Sequence, residues 1–305
     1  MSREKQAVTD SAIHFFQDEL HTYFDFHEAF DRISSGHASD GHPYRIYLTD
    51  LRPEYRTCPY GGSVIIRELS PAQADNYRRL TGLWNPYLES VYGVLEKEGH
   101  AISIHEFVEA PTSLPWEKRS MNLAEYVARF GCFSEKDALI LLWQLAEAIR
   151  ALQDIHFTHG DIAPQNILLT DTCPWETLYA PLPTTSRHIS LKLIDFGTAK
   201  EKKGSNHSVT TVIGTKPFAA PEILDFRYPS DRVDIYSAGC VLYYMLTGRS
   251  PKEGGLKTLP KKSGTGSFRI ISRCTADYVH RYKNAAGLQK DIIRQLYKPT
   301  GRLFF

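Results

Sequence analysis

Two short stretches of this chain have residue types and spacing that could do chemistry: His159-Gly160-Asp161-Ile162-Ala163-Pro164-Gln165-Asn166 and Asp195-Phe196-Gly197. Asp161 and Asn166 stand five residues apart on one segment, and Asp195 follows a short apolar run. A hard divalent cation that carries phosphates takes few protein oxygens, and a separate carboxylate must aim the attacking hydroxyl. Together the residues fit phosphoryl transfer. Taken singly they have plainer explanations: Asp-Phe-Gly is usually a turn, and His-x-Asp more often orients backbone than catalyses.

The elements that must position these residues follow from periodicity. Ser134 begins a helix through Ile155, with a capping signal in Ser134-Glu135-Lys136-Asp137 and apolar residues at Ala138, Leu141, Leu142, Leu145, Ala148, Ile149 and Leu152. Ile167–Leu169 and Leu191–Ile194 read as short strands around a Pro/Thr-rich insertion, 174–190. Upstream, Ile13, Phe16, Leu20, Phe24, His27 and Phe30 fall at helical spacing and predict a helix over 11–33. Asp40-Gly41-His42-Pro43 is a turn signal. Strands are expected at Tyr44–Leu48, Ser63–Leu69, Leu88–Leu95 and Ala101–Val108, with a helix from Ser70-Pro71 to Gly82.

With these motifs in order, the chain resembles the protein kinase family from about Tyr44 to Leu296. Gly214-Thr215-Lys216-Pro217-Phe218-Ala219-Ala220-Pro221-Glu222 looks like the segment that closes the family's activation loop. Asp234-Ile235-Tyr236-Ser237-Ala238-Gly239 looks like the buried helix that anchors the catalytic loop, and Arg281 matches the late arginine that pairs with Glu222. The resemblance implies an α+β fold with two lobes, a small β-rich one and a larger helical one. It divides the chain into an N-terminal helical extension, 1–42, and a kinase-like domain, 43–305, with lobes 43–108 and 111–305 and a hinge at about 106–110.

It also implies roles. Asp161 would be the catalytic base, and Thr215 would contact it and help position a hydroxyl substrate. Asn166 and Asp195 would hold Mg²⁺. ATP would meet Arg67, the hinge at Glu106 and Val108, and a floor at Leu168, with His105 as gatekeeper. His159, Phe196, Leu80 and Val91 would form an apolar stack.

The first lobe departs from the pattern. The stretch matched to the glycine-rich loop, Tyr44 to Tyr60, contains no glycine. Val64-Ile65-Ile66-Arg67 stands where Val-Ala-Ile-Lys is expected, so a planar guanidinium replaces a compact ammonium and Ile65 crowds the purine. The helix position that carries Glu in the family reads Asn76, next to Asp75. Gly160 replaces an arginine that receives activation-loop phosphate, and Ala163 replaces a lysine.

Composition bounds the remaining classes. Lys+Arg 36 against Asp+Glu 35 lacks the basic excess of a general nucleic-acid binder. Residues 1–40 hold three basic and eight acidic side chains, whereas 251–305 hold twelve and three, a contrast that solvated faces explain as well as docking does. Five scattered cysteines without CxxC spacing favour a reducing compartment. The N-terminus has no apolar signal core, and Gln144, Glu147 and Arg150 interrupt the most apolar stretch, so a cytoplasmic protein without a membrane span is expected. The reading is an atypical, bacterial-style kinase that transfers the ATP γ-phosphoryl group to Ser or Thr of a protein. The alternatives are a pseudokinase that binds or scaffolds, and a small-molecule kinase.

Overall fold

The computed structural model describes residues 12–24, 31–37, 43–52, 54, 62–172, 184–198, 200–201, 217–224, 232–251 and 265–297. The chain divides into two compact units: Met1–Asn85 with Glu89–Phe107, and Pro86–Leu88 with Val108–Phe305.

The first unit is built on a five-stranded antiparallel sheet in the order β1-β2-β3-β5-β4. Its strands are β1 (Asp31–His37), β2 (Pro43–Asp50), β3 (Ser63–Leu69), β4 (Val91–Lys97) and β5 (His100–Glu106). Val64, Ile65 and Ile66 are buried in succession because the central strand is covered on both faces. On one face, Val64, Ile66, Tyr47 and Ile102 pack with Ile13, Phe16, Leu20 and Phe24. Each of those four N-terminal side chains is at most 2% exposed, and burying one contributes about 1.5–3 kcal/mol. On the other face, Ile65 packs with Leu48 and Phe107. Helix α2 (Pro71–Leu80) starts with Pro at its first turn, and the Gln73 side chain accepts the Ser70 N–H at 3.0 Å. Glu98 and Gly99, at φ 52° and 81°, make the tight turn from β4 to β5.

The structure changes the reading of the N-terminus. The apolar stripe is real at Ile13, Phe16, Leu20 and Phe24, yet it is carried by a 3₁₀ turn, Ala12–Phe16, and a single α-turn, α1 (Gln17–Leu20). Residues 31–37 form a strand and not the end of a helix, paired from Asp31↔Leu48 to His37↔Pro43. Ser34-Ser35-Gly36 is a poor helix segment, and the exposed edge of β2 offers it hydrogen bonds. A strand therefore precedes Tyr44, and the stretch matched to the glycine-rich loop, Tyr44 to Tyr60, begins inside β2. Ala38 to His42, which include Gly41, lie outside the described residues.

The second unit is mostly helical. Its helices are α3 (Leu123–Phe130), α4 (Glu135–Asp154), α5 (Pro221–Leu224), α6 (Val233–Thr247), α7 (Thr265–Cys274) and α8 (Ala285–Leu296). The seven apolar residues expected along α4 are all fully buried. Ser134 caps this helix, accepting the Asp137 N–H at 3.1 Å. Two small antiparallel pairs complete the unit: β6 (Phe157–Thr158) with β9 (Lys200–Glu201), and β7 (Ile167–Asp171) with β8 (Ile189–Leu193). Among the described residues, no helix is long and apolar enough to cross a membrane.

Candidate active site

The β7–β8 pair fixes the chemistry of the second unit. Ile167 lies opposite Leu193, and Ile194 donates its N–H to the Asn166 carbonyl at 3.0 Å. Asp195 is the next residue, so register alone brings Asn166 and Asp195 to adjacent strand ends. The Asn166 side-chain N–H₂ donates to the Asp161 carbonyl at 2.9 Å and to Asp161 Oδ2 at 3.1 Å. Asp195 has φ 71°, a left-handed conformation that costs on the order of 1 kcal/mol away from glycine. Its Oδ1 accepts the Gly197 N–H at 3.3 Å, a local bond of the kind that lets Asp tolerate this region. Three oxygen-bearing side chains thus gather on two short segments, all hard donors of the kind Mg²⁺ takes together with phosphate oxygens.

The loop behind them is held from α6. Asp234, buried, accepts the N–H of His159 at 2.8 Å and of Gly160 at 2.9 Å. Burial pushes its carboxyl up, opposed by the His159 charge and by these two donors. Gly160 has φ 79°, where a side chain would be strained. His159 is fully buried, its ring edge-on to Phe196 at 5.4 Å, and its Nε2 meets the Ile194 carbonyl at 3.1 Å. Leu80 and Val91, named with them as an apolar stack, are both buried in the first unit. Leu168 is half-buried on β7, opposite Lys192. Thr215 lies outside the described residues, as do Ser205, Ser208, Thr210 and Thr211.

The first unit carries the other named residues. Glu106, at the end of β5, donates its N–H to the Ser90 carbonyl at 3.0 Å, and its Oε2 accepts the Ser90 N–H at 3.1 Å. Val108 is buried and opens the main segment of the second unit. Arg67, on β3, donates from Nη2 to Glu89 Oε1 at 3.4 Å. His105 Nδ1 stands 3.4 Å from Glu89 Oε2, and His105 Nε2 is 2.6 Å from the Ser103 hydroxyl. Burial by itself would raise the Glu89 carboxyl, but the Arg67 and His105 charges outweigh it and hold the group down at about 2. Sequence reasoning missed Glu89. The available signal was a carboxylate wedged in Tyr87-Leu88-Glu89-Ser90-Val91, an apolar run that had to supply it with a buried cation.

Comparison with known proteins identifies the family. The family model described as the protein kinase domain matches residues 77–302. The match begins inside α2, so the altered strands β1 to β3 and Arg67 precede it. The chain is 31% identical over 178 residues to the serine/threonine-protein kinase cds1 of Schizosaccharomyces pombe, covering 56% of this chain and 33% of that one. Identity is 30% over 152 residues to ribosomal protein S6 kinase alpha-6 of Mus musculus, 48% of this chain and 18% of that one. It is 27% over 188 residues to the serine/threonine-protein kinase SIK2 of Gallus gallus, 61% of this chain and 20% of that one. The chain spans a third or less of the length of these relatives. On the matched family model, and on a second unit whose loop, strand pair and anchoring helix hold the expected motifs in order, this chain belongs to the protein kinase family.

Proposed function

We propose that the chain is an ATP-dependent kinase acting on Ser or Thr of a protein substrate. The observation that carries this reading is the Asp161, Asn166 and Asp195 set, tied together by the Asn166 bonds to Asp161 and by the β7–β8 register. In the transfer, the substrate hydroxyl oxygen bonds to the γ-phosphorus as the bond to the β–γ bridging oxygen breaks, ADP leaves, and the hydroxyl proton passes to the Asp161 carboxylate. Asn166 and Asp195 supply the oxygens for Mg²⁺, which when bound neutralises phosphate charge. Asp234 holds the backbone just before Asp161 through two N–H bonds. Thr215 positions the hydroxyl, and Arg67, Glu106, Val108 and Leu168 receive the nucleotide, as the resemblance implies.

Glu222 paired with Arg281 favours a protein substrate over a small molecule, because this pair closes the segment that the family uses to seat peptides. A cytoplasmic setting accords with Cys240 and Cys274, buried near one another and both free thiols. One observation favours the rival reading, a binding module without turnover: Ile65 packs with Leu48 and Phe107 where the family leaves room above adenine.

Incubation of the protein with labelled ATP, Mg²⁺ and a mixed protein substrate separates the two. The kinase reading expects transfer that Asp161→Ala abolishes while MgATP binding persists. Equal labelling in both proteins, or none in either, overturns it.

A further inference from the structure

We propose that Glu89 is a positioning residue, holding the Arg67 guanidinium in the orientation in which it meets nucleotide phosphate, in place of the carboxylate that the family carries on α2. The proposal rests on the nucleotide reading above.

Strand register provides the geometry. Arg67 lies opposite Ser103, and Ile65 opposite His105, so Arg67, Ser103 and His105 share one face of the sheet. Glu89 reaches that face from the segment just before β4 and lies between two side chains, Oε1 toward the Arg67 guanidinium and Oε2 toward the His105 ring, each at 3.4 Å. The Glu89 side chain is 3% exposed, His105 0% and Arg67 11%. A carboxylate so enclosed needs a charged partner, which Arg67 supplies, while Ser103 meets the His105 ring from its other nitrogen.

Helix α2 has no carboxylate available for this task. Its acid, Asp75, is exposed and binds Arg78 at 2.6 Å, and the next residue is Asn76. What α2 sends to the cluster is Tyr77, buried and edge-on to His105 at 5.0 Å. Sheet and pre-β4 segment therefore anchor the cation, while the helix contributes only packing. A guanidinium has five donors in a fixed fork, so engagement by one carboxylate oxygen does not exhaust its capacity for phosphate.

The test is the apparent Kd for MgATP, measured by titration calorimetry beside the melting temperature of the ligand-free protein. Glu89→Gln should weaken MgATP roughly tenfold, Glu89→Asp less, and Asn76→Ala not at all. In an Arg67→Gln background, Glu89→Gln should add nothing further, because its effect passes through Arg67. A purely structural role predicts a lower melting temperature with unchanged Kd, or losses that add in the double variant. Either result overturns the proposal. If Glu89→Gln does not fold, Glu89→Asp carries the same comparison. Wild-type protein that binds no MgATP overturns the nucleotide reading and the proposal with it, whereas wild-type binding fully retained in the Glu89 variants overturns the proposal alone.

Discussion

Arg281 and Glu222 meet across 59 residues of chain: Arg281 Nη2 donates to Glu222 Oε2 at 3.3 Å, and Nη1 donates to Oε1 in parallel. The guanidinium is 1% exposed and the carboxylate 18%. Arg281 also donates to the carbonyls of Ala276 and Arg232 and lies over the Tyr236 ring at 5.0 Å. The pair thus ties α5 to the residues between α7 and α8.

Arg281→Ala should accordingly cost about 3–5 kcal/mol, since the glutamate loses its partner and two backbone carbonyls lose a buried donor. In a chain of this size that is a fall in Tm on the order of 10 °C. A melting curve that moves by no more than about 1 kcal/mol would mark a surface-type pair instead.

Asp195→Asn removes one anionic oxygen from a site with few protein ligands, so Mg²⁺-dependent ATP binding should weaken. The left-handed backbone at this position suits Asn as well as Asp, and the fold should survive the exchange. Thermal-shift titration with MgATP reads the result directly, and identical shifts in variant and wild type would remove Asp195 from the site.

Activity should not depend on activation-loop phosphorylation. Gly160 adjoins Asp161 with no side chain to receive a phosphate, and its φ of 79° disfavours one. Replacing Ser205, Ser208, Thr210 and Thr211 together by Ala should leave transfer to a protein substrate unchanged. Loss of transfer in a folded variant contradicts this.

Glu89 should shape the acid side of the stability curve. Its carboxyl lies at about 2 in the folded protein against 4.5 for the free side chain, a depressed value. The linked stability is therefore fully present above about pH 4.5 and is lost as pH falls toward 2, on the order of 3 kcal/mol in all. Glu89→Gln should be less stable at neutral pH and lose less between pH 4.5 and 2, as urea melts at several pH values would record. Parallel curves for the two proteins would mean that the carboxylate gains nothing from its neighbours.

The second unit was legible because its chemistry is local. Asp161 and Asn166 share one loop, and Asp195 directly follows β8, the strand that pairs with β7 just after Asn166. The first unit was legible only in part. Val64 to Arg67 read correctly as a strand, but nothing near Arg67 in sequence points to Glu89, whose approach depends on how β3, β5 and the pre-β4 segment are laid side by side. At the N-terminus, the helical spacing of Ile13 to Phe24 runs on in sequence through His27 and Phe30, which hid the strand at Asp31–His37.

The sheet also sets what kinds of change this chain can absorb. Ile66 and Arg67 are neighbours on β3 that point to opposite faces, one into the apolar layer with Phe16 and Leu20, the other toward Glu89. Inserting a single residue just before them would exchange their seats, thrusting a guanidinium into hydrocarbon and withdrawing the counter-charge from a buried acid. The same insertion between Arg52 and Gly62 would leave the phase of β3 untouched. Length variation among descendants of this sequence should therefore accumulate between β2 and β3 and be purged from β3 itself.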